Sequence, residues 1–275
     1  MKDKKILTIQ DISCTGQCSL TVALPIISAC GIETAILPSA VLSNHTAFPR
    51  FTFRDLTAEI PKIRKSWKAQ NIKFSAVYTG YLGSAKQISH VTEVMRDCLV
   101  EGGVKIVDPA MADGGKLYTG FDMAYVEEMK KLCSAADIVL PNVTEACLMT
   151  GTEYKTRFDA DYIETLLSRL TNLCGGKIIL TGVSFSENET GVAVYDGETV
   201  KYYEHDKVGA GCHGTGDVYA SAFVGALSRG KSLFEAAKIA ADFTLLCIKN
   251  TAGHPDHWYG VRFEGCLPQL IEMLK

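Results

Sequence analysis

"VGAGCHGTGDVYASAF", residues 208–223, contains two overlapping glycine patterns that predict different folds and chemistries. Read from Gly209, GAGCHG satisfies the G-x-G-x-x-G of a dinucleotide-binding turn; read from Gly214, GTGD describes an anion hole with a carboxylate on its rim. A dinucleotide turn needs a preceding strand, a following helix, a second strand and an acidic residue about 20 positions on that grips a ribose. Here the helix expected over 215–229 leads through Gly230 into a second helix over 231–249, and Glu235 stands in helical sequence. The dinucleotide match is therefore a chance overlap.

The GTGD reading has the better context. Glycines at 214 and 216 let successive backbone N–H groups converge at a helix start, where unpaired donors and the helix dipole favour phosphate or developing negative charge. Asp217, in the first turn, then has two readings: a base that takes a proton from an alcohol during phosphoryl transfer, or a carboxylate that stabilises the helix N-terminus.

Outward from this loop, β-rich runs at 5–9, 74–80, 104–108, 136–142 and 176–182 alternate with amphipathic segments of helical length. That is the pattern of a mostly parallel sheet with helices on both faces, an α/β fold. The later runs end in Gly80, Asp108, Asn142 and Gly182, and the first is followed by Gln10 and Asp11, so the chemistry is expected at the carboxyl ends of the strands. Residues 190–205 alternate around Asp196-Gly197 and read as an antiparallel hairpin. No repeat or linker divides the chain, and residues 1–275 are read as one domain. Val218, Phe223 and Leu227 form the core face of the first helix after the loop.

Two further stretches carry oxygen donors. "DPAMADGG" (108–115) sets Asp108 and Asp113 in a loop after a strand, suited to a Mg²⁺ ion that keeps waters and bridges phosphates, or equally to a solvated capping loop. "PNVTE" (141–145) places Asn142 and Glu145 after the next strand, as ligands, as a helix capping box, or as both.

The bulk numbers narrow the partners. A chain of 275 residues, 47% hydrophobic, with net charge −3, can bury a large core and shows no basic block for nucleic acid or membrane. Its ten cysteines, from Cys14 to Cys266, include no C-x-x-C pair and read as reduced thiols of a cytoplasmic protein. The apolar run after the N-terminal lysines is broken by Gln10 and Asp11, against a signal peptide, and Leu20–Cys30 is short and contains Pro25, against a membrane span.

"LTIQ" (7–10), "LSNHT" (42–46), "YTGY" (78–81), "DPAMAD" (108–113), "ADIVLPNVTEACLMTG" (136–151) and GTGD (214–217) occur in an order and spacing that resemble the ribokinase superfamily, and within it the pyridoxal/pyridoxamine kinases. GTGD alone marks the superfamily; LSNHT and TGY are the more specific signals. The resemblance implies a ribokinase-like fold and ATP-dependent phosphorylation of the 5′-hydroxymethyl group of a vitamin B6 vitamer. It casts Asp217 as the base and Gly214, Thr215 and Gly216 as the anion hole. Asp108, Asp113 and Glu145 would serve Mg²⁺, with Asn142 and Glu145 ordering its waters. Thr181 and Gly182 would meet ATP phosphate, Tyr118 in the 112–120 lid would meet the nucleotide, and Thr46 and Tyr81 would face the pyridine ring. A monovalent cation such as K⁺ and a homodimer, with an exposed apolar stretch 35–42 near its interface, belong to the same expectation.

Two departures stand out. Asp11 occupies the position after "IQ" where such kinases often have Ser, so it is expected to meet the ring nitrogen or an amine of the substrate, with Ser13 substituting only if its loop shifts. The lid is also short. Cys212 is read either as a substrate contact, extending to a covalent hemithioacetal with an aldehyde, or as a small filler. His254 and His257 lack a third metal ligand, His45 is read as a brace, and Tyr202 and Tyr203 either border adenine or fill a strand. The rival readings are a hydroxymethylpyrimidine kinase and a catalytically weak pyridoxal phosphate-binding protein.

Overall fold

The computed structural model describes residues 4–209 and 212–275; Ala210 and Gly211, within the quoted loop, lie outside them. In chain order the elements are β1 (Lys5–Ser13), α1 (Leu20–Ala29), β2 (Glu33–Leu42), β3 (Phe53–Asp55), α2 (Ile60–Ala69), β4 (Phe74–Thr79), α3 (Ala85–Cys98) and β5 (Leu99–Val107). Then follow β6 (Ala112–Asp113), β7 (Lys116–Leu117), α4 (Met123–Ser134), β8 (Ile138–Val139), α5 (Val143–Thr150), α6 (Ala160–Cys174), β9 (Lys177–Val183), β10 (Glu189–Tyr195) and β11 (Val200–Asp206). The chain closes with α7 (Thr215–Ser228), α8 (Leu233–Thr251) and α9 (Leu267–Met273). The result is an α/β architecture with a large, mostly parallel central sheet flanked by helices.

Two compact units emerge, Met1–Gly103 with Val208–Lys275, and Val104–Lys207. In the first, the strand order is β4-β1-β2-β3, with β1 parallel to both β2 and β4. Buried Ile6, Leu7, Ile9, Leu37 and Val77 fill it from the sheet side, and α1 and α7 pack through Val22, Ile26, Val218 and Phe223. A strand paired on both edges, with one face buried and the other partly covered, carries the same apolar composition as an exposed patch. The stretch 35–42, expected to be exposed, is the body of β2, held between β1 and β3, with Leu37, Ala40 and Leu42 buried.

The second unit pairs β8 in parallel with β5 and β9, and adds the antiparallel hairpin β10–β11, which turns at Asp196-Gly197 as the sequence predicted. The register shifts where Val183 and Thr181 face Gly191 and Val192. Gly182, at φ 76°, is the extra residue of this bulge, a conformation that glycine adopts without strain.

β1 is longer than the sequence pattern predicts. The predicted strand over 5–9 continues to Ser13, through a register shift against β2 between Gln10 and Ile12. Asp11 and Ser13 therefore sit on a strand and not in a mobile loop, and both are buried.

Candidate active site

In the first unit, parallel β1, β2 and β4 end on one edge: Asp11 and Ser13 are among the last residues of β1, and the segments leaving β2 and β4 carry His45, Thr46 and Tyr81. The α7 N-terminus opens on Gly214 at φ 82°, pressed so close to the Gln17 carbonyl that a Cβ would lie 1.9 Å from that oxygen. Only glycine fits there, and the close fit sets where the first N–H groups of α7 point. The Thr215 hydroxyl donates back to the Cys212 carbonyl at 3.2 Å and ties the turn.

Asp217 is half-buried in the first turn of α7. Desolvation pushes its carboxyl pKa up to about 7, the Ser19 backbone N–H opposes that rise, and the Asp11 carboxylate adds repulsion. Asp11 itself is raised by burial against hydrogen bonds from Ser19 and Ser13. Its Oδ1 accepts the Ser19 hydroxyl at 2.6 Å and its Oδ2 the Ser13 hydroxyl at 3.4 Å. The Tyr81 phenol is raised by burial and by Asp11.

Thr46 is exposed in the turn after His45. His45 braces that turn: its N–H donates to the Thr15 carbonyl at 2.8 Å, and its Nδ1 accepts from the Ala47 N–H at 3.1 Å. Its ring lies 5.1 Å from that of His213, and burial followed by that neighbour lowers its pKa. Cys212 and His213 line a cavity of about 550 Å³ with Thr251, His254, His257 and Trp258. Burial raises the Cys212 pKa, so its sulfur rests as a thiol.

In the second unit, the ends of β5, β8 and β9 gather Asp108, Asn142, Thr181 and Gly182. Asn142 caps α5, accepting the Glu145 N–H at 2.9 Å, while Glu145 Oε2 accepts the Asn142 N–H at 2.9 Å. The capping-box reading holds, and the same two residues reach further. Glu145 Oε1 accepts from the N–H groups of Met111 (2.9 Å) and Ala112 (3.4 Å), and Asn142 Nδ2 donates to the Ala112 carbonyl at 2.8 Å. Thr144, which sequence reasoning passed over, accepts the Gly115 N–H at 3.0 Å. The helix N-terminus thus holds the 112–120 segment, which folds as the β6–β7 hairpin with Gly114 and Gly115 at its turn.

Desolvation raises the Glu145 pKa against those three N–H groups, and the Asp113 charge adds to it. Asp108 accepts the Ala110 N–H at 3.1 Å, Asp113 is exposed on the hairpin, and Tyr118 follows it, half-exposed. The Thr181 N–H donates to the Pro141 carbonyl at 2.9 Å, which draws Thr181 beside Asn142. Among the described residues no three His, Cys, Asp or Glu side chains cluster as a metal cage.

Asn142→Ala is expected to lower stability by about 1 kcal/mol or more, because it removes a cap and the bond to Ala112 together. The corresponding drop of a few degrees in Tm is read in a thermal melt.

A mostly parallel α/β sheet, carboxylates at its strand ends and a glycine turn opening onto a helix define the ribokinase-like class. The phosphomethylpyrimidine kinase family model matches residues 51–260, and the chain belongs to that family. A Bacteroides thetaiotaomicron protein provisionally named a phosphomethylpyrimidine kinase is 38% identical, with a TM-score of 0.93 over 98% of this chain and 94% of that one. An orthorhombic crystal form under the same name contains pyridoxal and matches with a TM-score of 0.91 over 98% and 96%. Pyridoxal kinase from Lactobacillus plantarum is 30% identical, with a TM-score of 0.90 over 98% and 97%. A hydroxymethylpyrimidine/phosphomethylpyrimidine kinase from Bacillus subtilis is 28% identical over 226 residues, 80% of this chain and 78% of that protein.

Proposed function

We propose that this chain is a pyridoxal kinase: a single kinase domain that transfers the γ-phosphoryl group of ATP to the 5′-hydroxymethyl oxygen of a B6 vitamer. The observation that carries the reading is Asp217, half-buried in the first turn of α7 behind the Gly214 turn, with a pKa near 7. A base of that pKa is matched to neutral pH. The pyridoxal in the Bacteroides thetaiotaomicron crystal form supports the choice of substrate.

Asp217 takes the hydroxymethyl proton as the oxygen attacks in line, and the N–H groups of Gly214, Thr215 and Gly216 hold the developing charge, with the α7 dipole behind them. Positioning and electrostatics then account for most of the rate. Thr46, Tyr81 and Cys212 face the vitamer, with Asp11 and Ser13 deeper behind them; Thr181, Gly182, Asn142 and Tyr118 serve the nucleotide.

The oxygen donors fit Mg²⁺. Asp108 and Asp113 follow β5, and both Glu145 oxygens already accept backbone N–H groups, which leaves Glu145 to act through the ion's waters. An ion held there through water would keep most of its hydration, as Mg²⁺ does at nucleotide phosphates. When bound, it neutralises phosphate charge. K⁺ as a monovalent cofactor, a cytoplasmic setting consistent with ten free cysteines, and a homodimer complete the proposal; light scattering that returns a monomer contradicts the last. Among the described residues no helix is long and apolar enough to cross a membrane.

Because the raised pKa leaves Asp217 protonated in acid, kcat/KM is expected to fall as pH drops below about 7, by roughly tenfold per unit. A profile flat to pH 5 rules out this base.

The experiment that tests the function is ADP formation from ATP and Mg²⁺ with pyridoxal, pyridoxamine, pyridoxine and hydroxymethylpyrimidine in turn. Turnover of a B6 vitamer at least tenfold above hydroxymethylpyrimidine in kcat/KM is expected. A preference for hydroxymethylpyrimidine, the substrate class named for the Bacillus subtilis relative, overturns the vitamer assignment. Tight pyridoxal phosphate binding without turnover points to a binding protein.

A further inference from the structure

The turn between β1 and α1 is strained at one residue. Ser19 stands at φ 52° and ψ −130°, in the left-handed region that residues with a Cβ seldom adopt, and it is buried. Strain of this kind persists where the surroundings enforce it, and it concentrates at functional sites.

Although Ser19 is the N-cap of α1, its hydroxyl caps nothing. It donates instead to Asp11 Oδ1 at 2.6 Å, and Ser13 donates to the other oxygen of the same carboxylate at 3.4 Å. The Ser19 backbone N–H is turned toward Asp217. Two residues earlier in the same turn, the Gln17 carbonyl presses against Gly214. One short segment therefore touches both the anion turn and the carboxylate behind it, and a buried acid on β1 fixes its conformation.

We propose that Ser19, clamped by the buried carboxylate of Asp11, is a positioning residue that holds Asp217 in line with the hydroxymethyl oxygen. This rests on the reading of Asp217 as the base. In this arrangement Asp11 acts on the reaction through Ser19 and through its own charge. The titratable groups facing Asp217 are Asp11 from β1 and Cys18 from the turn before α1, with Tyr81, after β4, beyond Asp11. Asp11 and Cys18 add no positive charge, so removing the Asp11 charge makes Asp217 the stronger acid.

Two variants and two readouts test this. Ser19→Gly suits the backbone conformation and removes only the hydroxyl clamp. It is expected to melt no lower than Ser19→Ala while losing at least tenfold in kcat, with the vitamer KM within about threefold. Asp11→Asn keeps an oxygen for the Ser19 hydroxyl but loses the charge, and the acid limb of its kcat/KM profile is expected to move down by about half a pH unit or more.

The second readout is ¹³C NMR titration of the Asp217 carboxyl in aspartate-labelled protein without substrate, compared between wild type and Asp11→Asn. It requires no turnover. If the wild type phosphorylates no vitamer, the functional reading falls while the NMR shift alone decides the Asp11 coupling. Near-wild-type kcat in Ser19→Gly, or an unmoved Asp217 titration in Asp11→Asn, overturns the proposal.

Discussion

Asp217→Asn is expected to lower kcat by a factor on the order of 10²–10⁴, the range typical of a general base, while ATP and vitamer still bind. Asparagine is close in size to aspartate, so the α7 turn keeps its shape and the loss falls on proton transfer. Stability should move in the opposite direction. The fold raises the Asp217 pKa from 3.8 to about 7, so the native state disfavours the ionised form. That penalty is absent below the unfolded pKa, grows as pH rises, and is complete above about 7. At pH 8 the variant is expected to be more stable by on the order of 1 kcal/mol after allowance for partial exposure, a Tm gain of a few degrees that vanishes near pH 4. Lower activity with higher stability is the signature of a group placed for function. A variant that loses both equally would mark Asp217 as an N-terminal helix stabiliser.

Gly214→Ala is the second large effect. The residue stands at φ 82°, and the new Cβ would lie 1.9 Å from the Gln17 carbonyl oxygen. Neither backbone has room to give without moving the other, because Gln17 bridges to Gly260 and leads directly into Ser19. The strained φ and the clash together are expected to cost about 2–4 kcal/mol of stability. Displaced N–H donors at the anion turn are expected to reduce kcat by a further 10²–10³-fold. Gly216→Ala serves as the control, since no atom lies within 4 Å of its added Cβ. Its fold should survive, which separates the effect of the clash from that of substituting a glycine in this motif.

Much of the candidate site was legible in the sequence as an expectation, because its signals are local. GTGD lies within four consecutive residues, and its position before a helix follows from the apolar spacing of 218–227. Asn142 and Glu145 form a capping box whose spacing is itself the signal, and the structure adds the hydrogen bonds from that box to Met111 and Ala112. What stayed hidden depends on contacts distant in sequence. Thr144 looks like any residue of a first helical turn until Gly115 folds onto it. Ser19 carries no signal of its own in the sequence, and its pairing with Asp11 is visible only once β1 runs on to Ser13.

The misread stretch 35–42 has a different cause. A strand buried between two others and an exposed apolar patch share one composition, and only the neighbours β1 and β3 distinguish them. The Asp11 position illustrates the same limit. In sequence it stands where the family resemblance leads one to expect Ser; in the fold it is the buried anchor of the turn that touches the α7 N-terminus.

The most direct test of the central claim is ³¹P NMR of wild-type protein and Asp217→Asn incubated with ATP, Mg²⁺ and pyridoxal. The account predicts that the wild type converts the γ-phosphoryl signal of ATP into one phosphomonoester on the 5′ oxygen of pyridoxal, and that the variant forms it at least a hundredfold more slowly. Equal rates from the two proteins, or release of inorganic phosphate with no pyridoxal ester, would contradict it.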